Sequence, residues 1–137
     1  MHEAVARMLA DDAASRAMGI EVSQAADGTA VATMRVREDM VNGHAIAHGA
    51  FVFAVADTAF ACACNSANPG TVAAAADITF VAPARLGDLL EARAVERTRY
   101  GRNGIYDVTV QRGQTVIAEF RGTSRTLVSR QRTASRT

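Results

Sequence analysis

Apolar and polar positions divide this chain into two helical stretches and six strand-like ones. In residues 1–17 (MHEAVARMLADDAASRA), Val5, Met8 and Leu9 recur at i, i+3 and i+4, one face of a short helix, and Gly19 is a fitting stop. Ile20 and Val22 then alternate, Asp27-Gly28 is a hairpin signal, and TAVATMRV (29–36) resumes as a strand. An irregular loop, 37–48, leads into residues 49–66, where GAFVFAVADTAFACACNS is apolar on every side. A helix hydrophobic all round is a buried one. Asn68-Pro69-Gly70 closes it. Further strands are expected at 71–82, 88–99, 102–111 and 115–127, with turns at PARLGD (83–88) and Arg112-Gly113-Gln114; residues 129–137 read as a polar tail. The order α-β-β-α-β-β-β-β predicts an α+β fold. One long central helix lies against an antiparallel sheet of five to six strands, the later ones running as a meander. Such a sheet leaves an edge, so pairing with a second copy through the sheet is a natural solution.

Composition narrows the function classes. A chain of 137 residues is expected to form one domain, 1–137, and with 49% hydrophobic and 21% charged residues it has the usage of a globular protein. A net charge of +1 gives no field to draw it to nucleic acid or an anionic membrane. All fifteen basic residues are Arg, which excludes a Schiff-base lysine and a phosphate-loop lysine. Met1-His2-Glu3 does not begin a secretory signal, and Cys62 and Cys64, two apart on a helix, do not face each other. A reduced, cytoplasmic protein is expected. The three His and two Cys fall in no ligand spacing, so no metal is expected. The long helix approaches the roughly 20 residues that span a bilayer. However, Asp57 sits at its middle, where insertion costs about 2.5–3.5 kcal/mol, and a core helix is the better reading.

Asp57 is the most informative residue. Burying an unpaired carboxylate is costly, so it either pairs with an Arg or a neighbouring hydroxyl such as Thr58, or is held in a cleft as a general base or nucleophile. His48-Gly49-Ala50 opens the helix. The first N–H groups there lack intrahelical partners, and Gly49 lets an oxygen approach closely, which makes a candidate oxyanion hole. Gly49 and Asp57 are eight residues apart, roughly 12 Å along one helix. A reacting carbon must lie near 3 Å from both its attacking group and its oxyanion donors. One chain cannot supply both; two chains with long helices antiparallel about a two-fold axis can.

The pattern Asn42-Gly43-xxxx-His48-Gly49-xxxxxxx-Asp57, then Asn65, Pro69-Gly70, Thr79-Phe80-xx-Pro83 and Gly87-Asp88, resembles the hotdog-fold acyl-CoA thioesterases, most of all the PaaI type of bacterial phenylacetate degradation. The similarity runs over roughly residues 15–127 and includes GRNGIYDVTV and FRG. The resemblance implies a long helix wrapped by the sheet, dimers and often tetramers, and hydrolysis of aryl-acyl-CoA. It implies Asp57 as catalytic carboxylate, Gly49 as the N–H that polarises the thioester carbonyl, and His48 and Asn42 at the border of the site. Coenzyme A is then part of the substrate and no cofactor is implied. Ala50, Phe51, Phe53 and Phe60 are candidate walls for the acyl group; Arg85, Arg102, Arg121 and Arg125 are candidate phosphate partners. Two departures stand out. The usual His-Gly-Gly reads His48-Gly49-Ala50, and the run Ala73–Ala76 offers none of the strand hydroxyls that some distant relatives carry. Two other readings remain: a hotdog dehydratase of hydroxyacyl thioesters, and a non-catalytic acyl-CoA-binding dimer.

Overall fold

The computed structural model describes residues 1–127; the expected polar tail at 129–137 lies outside them. Three α-helices, α1 (Glu3–Ala10), α2 (Ala13–Ala17) and α3 (Gly49–Ala67), and a short 3-10 turn, Glu38–Met40, accompany six strands: β1 (Glu21–Ala26), β2 (Thr29–Arg35), β3 (Thr71–Phe80), β4 (Leu89–Tyr100), β5 (Asn103–Arg112) and β6 (Thr115–Thr126). The strands form one antiparallel sheet in the order β1-β2-β4-β5-β6-β3. Its inner face wraps α3, which packs against all six strands. By length and composition α3 could cross a membrane, yet eleven of its residues are buried in this wrap. Local chemistry sets the turns. Asp27 and Gly28 both take positive φ (53° and 80°), as a two-residue hairpin with the primed twist requires.

Two expectations are corrected. Residues 1–17 do not form one helix. Asp12 breaks the run and caps a second helix, its Oδ1 accepting from Ser15 N–H at 3.0 Å. The meander is also shorter than expected: β4, β5 and β6 follow one another, but β3 lies beyond β6, at the opposite side of the sheet from β1. Side-chain burial explains it. Ala30, Ala32 and Met34 of β2 stand opposite Ala94, Ala92 and Leu90 of β4, and all six are buried. That makes an apolar central pair. β3 turns Val72 to Asp77 to solvent and suits an edge. The segment 81–88 carries the chain across to join them.

The core is aromatic where α3 crosses β5 and β6. Phe60 meets Tyr106 and Phe120 with ring centroids 5.6 and 5.7 Å apart, and Phe53 meets Phe120 edge-on at 5.3 Å. Gly122 lets β6 approach this cluster: a Cβ there would come within 2.7–2.9 Å of three ring atoms of Phe60. Phe60 is enclosed and has nowhere to move. Gly122→Ala is therefore expected to lower stability by about 1–3 kcal/mol, measured by urea unfolding.

Candidate active site

The start of α3 is held by two segments remote in sequence. His48 is the N-cap: its Nδ1 accepts from Ala50 N–H at 3.2 Å, and its own N–H donates to Met40 O at 2.7 Å. Upstream, Asn42 folds the loop back on itself. Its Oδ1 accepts from His44 N–H (2.8 Å) and Ile46 N–H (3.2 Å), which steadies Ala45 at a φ of 60°. The loop is stitched to the β3–β4 connection, where Ala47 N–H donates to Ala84 O at 2.7 Å and Ile46 bridges Arg85. Asp88 tightens the same connection by accepting from Arg85 N–H (2.8 Å) and the Arg112 guanidinium (2.9 Å). These bonds, the N–H first, hold its carboxyl below the usual range.

Between the two segments lies an apolar cavity of about 410 Å³. Its lining includes Ile46, Gly49, Val52, Phe80, Pro83 and Ile117. Gly49 borders the cavity, and a Cβ there would come within 2.9 Å of Phe80 Cζ. The bare helix start thus serves packing as well as access. Phe80 itself is 54% exposed.

Asp57 lies two turns further along α3, half-buried. Among the described residues it has no guanidinium partner, and Thr58 turns its hydroxyl to Ser15 instead, at 2.9 Å. Burial first, and then the negative charge of Asp12, hold the Asp57 carboxyl above its usual range. Ala50, Ala54, Asp57 and Ala61 share one face of α3 that the sheet leaves partly open, flanked by Phe53 where it packs on Phe120, an apolar stripe with one acid at its middle.

The other candidates scatter. Phe60 is a core residue at 1% exposure and lines no opening within the protomer. Phe51 is half-buried against the core. Asn42 offers only its amide nitrogen, since its oxygen holds the loop. Arg85 is exposed beside the cavity's lining residue Ala84. Arg121 is engaged by Asp107 through two bonds of 2.6 and 2.8 Å. Arg102 sits in the β4–β5 turn, where its carbonyl accepts from Thr126 N–H beside the start of β3. The cavity adjoins the other end of that ten-residue strand, roughly 30 Å away at 3.3 Å per residue. Arg102 and Arg125, which pairs with Val72, therefore cannot reach the Gly49 cavity of their own protomer. The sequence reading missed Phe80 and the 81–84 segment as cavity walls, and Asp12 as a neighbour of Asp57. For Asp12 a signal existed: an acid three residues before Ser15 within an Ala-rich run is an N-cap pattern. No cluster of His, Cys, Asp and Glu able to hold a metal occurs among the described residues.

A helix start free to polarise an oxygen, an apolar cavity beside it and an unpaired carboxylate on a sheet-wrapped helix are the parts of a hotdog hydrolase. Residues 44–119 match the model of the thioesterase superfamily, and the chain belongs to that family. It is 43% identical over 118 residues to the acyl-coenzyme A thioesterase PaaI of Escherichia coli (strain K12), spanning 85% of this chain and 84% of the relative. The solved structure of the E. coli PaaI protein, from the phenylacetic acid degradation operon, superposes with a TM-score of 0.89 at 39% identity, covering 93% of each chain. A point mutant of the phenylacetic acid degradation protein PaaI from Thermus thermophilus gives a TM-score of 0.80 at 38% identity, covering 82% of this chain and 97% of that one. The chain is a thioester hydrolase of the PaaI type with the hotdog fold.

Proposed function

We propose that this enzyme hydrolyses aryl-acyl-CoA thioesters, phenylacetyl-CoA or its ring-hydroxylated relatives, to the free acid and coenzyme A, at a site built by two copies of the chain. The observation that carries the reading is Asp57, an unpaired carboxylate on the open stripe of α3 and about 12 Å along the helix from Gly49. A partner whose α3 runs antiparallel against that stripe brings its own Gly49 beside Asp57. Two equivalent sites result, and the same contact removes Phe53 and the alanines from water. A dimer of such dimers is the assembly we favour. The names of the E. coli and T. thermophilus relatives support the aryl preference, as does the apolar cavity with Phe80 in its wall.

The chemistry follows from these groups. The thioester oxygen accepts the N–H of Gly49, which stabilises the negative charge that develops there. Asp57 takes a proton from water as the water oxygen bonds to the carbonyl carbon. The tetrahedral adduct then expels the thiol sulfur, and the proton held by Asp57 passes to it. Alternatively Asp57 attacks directly, and water opens the mixed anhydride. Both routes need Asp57 ionised and neither calls for a metal or cofactor. Arg85, beside the cavity, and Arg102 of the partner are candidates for the phosphates of coenzyme A. A cytoplasmic setting suits the two free thiols, Cys62 and Cys64.

The test is thiol release from a panel of aryl and aliphatic acyl-CoAs, run on the wild type and on Asp57→Ala. Phenylacetyl-type esters are expected to have the highest kcat/KM, and Asp57→Ala to release no thiol above background. Tight binding without release points to the scaffold reading. Loss of water from a hydroxyacyl ester points to the dehydratase.

A further inference from the structure

Asp57 has a charged neighbour that the reaction scheme leaves unused. Asp12 caps α2, with Oδ1 accepting from Ser15 N–H at 3.0 Å and Oδ2 from the Ser15 hydroxyl at 2.7 Å. Ser15 is buried, and its Oγ lies 2.9 Å from Thr58 Oγ1, on the residue that follows Asp57. Proton counting fixes the direction of this chain. A carboxylate only accepts, so Ser15 gives its one hydroxyl proton to Asp12, and Thr58 must donate to Ser15. The Thr58 hydroxyl cannot then donate to Asp57. The link ties α2 to α3 at the residue beside the acid.

The surroundings of Asp57 hold little else that is charged. On its own helix, burial pushes the thiols of Cys62 and Cys64 up to about 12, so both stay neutral. Tyr106 of β5 is pushed up by burial and by its bond to Glu96, and keeps its proton. α1 buries Val5 and leaves the Glu3–Arg7 pair in solvent. The buried side chains of β1, β2 and β4 are apolar: Ala25, Ala30, Val31, Ala32, Met34, Leu90, Ala92 and Ala94. From β3 and β6 the residues turned inward carry no charge: Ile78, Ile117, Ala118 and Phe120, with the hydroxyls of Thr71 and Ser124. Cys64 also lies within reach of Asp57 but stays neutral; among the described residues, Asp12 is the charged side chain that bears on Asp57.

We propose that Asp12 is a positioning residue for Asp57: through Ser15 and Thr58 it fixes the turn of α3 that presents the acid, and it stands beside that acid as a second negative charge. The inference rests on the reading of Asp57 as the catalytic carboxylate. A neighbouring anion makes Asp57 a stronger base, at the expense of a smaller ionised fraction in acid.

Asp12→Asn removes the charge and keeps the cap, while it also reverses the Ser15–Thr58 bond, so it is read together with Asp12→Ser and the salt dependence. The Asn oxygen still accepts from Ser15 N–H, and its NH₂ donates to Ser15 Oγ, which turns its own proton toward Thr58. In thiol-release assays on the best wild-type substrate, the acid limb of kcat/KM is expected to move to lower pH. The plateau kcat falls while KM holds. Added salt moves the wild-type limb toward that of the variant, because it screens the two carboxylates. Asp12→Ser, also a good N-cap but uncharged, should shift the limb in the same direction. Thr58→Val keeps the charge and cuts the link; it should lower Tm and the plateau kcat, through the loosened turn that presents Asp57, and leave the limb in place. An unmoved limb in the folded Asp12 variants overturns the inference, as does a limb that follows Thr58→Val instead. If Asp57→Asn is inactive while the Asp12 limb stays put, only this inference fails. If Asp57→Asn keeps wild-type turnover, the reading of the site fails and takes this inference with it.

Discussion

Asp57→Asn is expected to cut turnover about 10²–10⁴-fold, the usual contribution of a positioned general base, while the protein melts at a higher temperature than the wild type. The two halves of this result come from one cause. Burial and the charge of Asp12 raise the Asp57 carboxyl above its usual range in the folded chain. A raised folded value means that folding favours the protonated acid. The penalty for keeping it charged is therefore present at neutral pH and disappears as pH falls through the raised value. Asparagine has nearly the same shape and carries no charge, so it removes the penalty and the base together. A residue kept for structure would behave oppositely, losing stability on substitution. Thermal melts at pH 7 and pH 4, beside thiol release, check both halves: the gain in Tm should be present at pH 7 and shrink at pH 4. A variant that melts lower at pH 7 and still turns over would remove Asp57 from the centre of the site.

Asn65→Ala is expected to cost about 2–4 kcal/mol, a substantial fraction of the roughly 5–15 kcal/mol that holds a typical domain folded. Asn65 is buried near the end of α3, and its amide serves both that helix and β3. Nδ2 donates to Ala61 O and Thr71 O, each at 2.9 Å, and Oδ1 accepts from Gly70 N–H and Thr71 N–H, each at 3.1 Å. Four backbone groups lose a partner when the amide is removed, at a junction where Thr71 is itself buried. Urea unfolding reads the loss as a lower midpoint with an unchanged slope. A change under about 0.5 kcal/mol, the range of ordinary surface substitutions, would show that water replaces the amide. The two variants move stability in opposite directions from the same helix.

Much of this is legible in the chain. The unbroken apolar run of α3, the Asp27-Gly28 turn and the solitary Asp57 are local signals, and local chemistry enforces them. What stays hidden depends on pairing across long separations. Periodicity reports which face of β3 is apolar, but not that its neighbour is β6. Gly49 reads as a bare helix start, and only the folded chain brings Phe80 against it. Phe60 reads as a possible pocket wall because spacing gives the face of a helix and not what covers it; Tyr106, Phe120 and Gly122 do. Asn42 reads as bordering the site, and only the folded loop shows that its oxygen holds the N–H groups of His44 and Ile46. The break at Asp12 escapes a pattern of apolar spacing because alanines on both sides favour helix equally, and one capping side chain decides the matter.

Among the described residues β3 is bonded along one side only, to β6. Its six consecutive exposed residues, Val72 to Asp77, carry one charge and no proline. A solitary protomer is thus an unfinished template, with a row of amide and carbonyl groups ready for whatever extended peptide arrives first. Charged edges and prolines protect other proteins from such encounters; in the assembly we propose, a second copy would have to do so here. Solubility and assembly are then one problem, and a substitution that slows the covering of this edge should appear first as precipitate in the expression host.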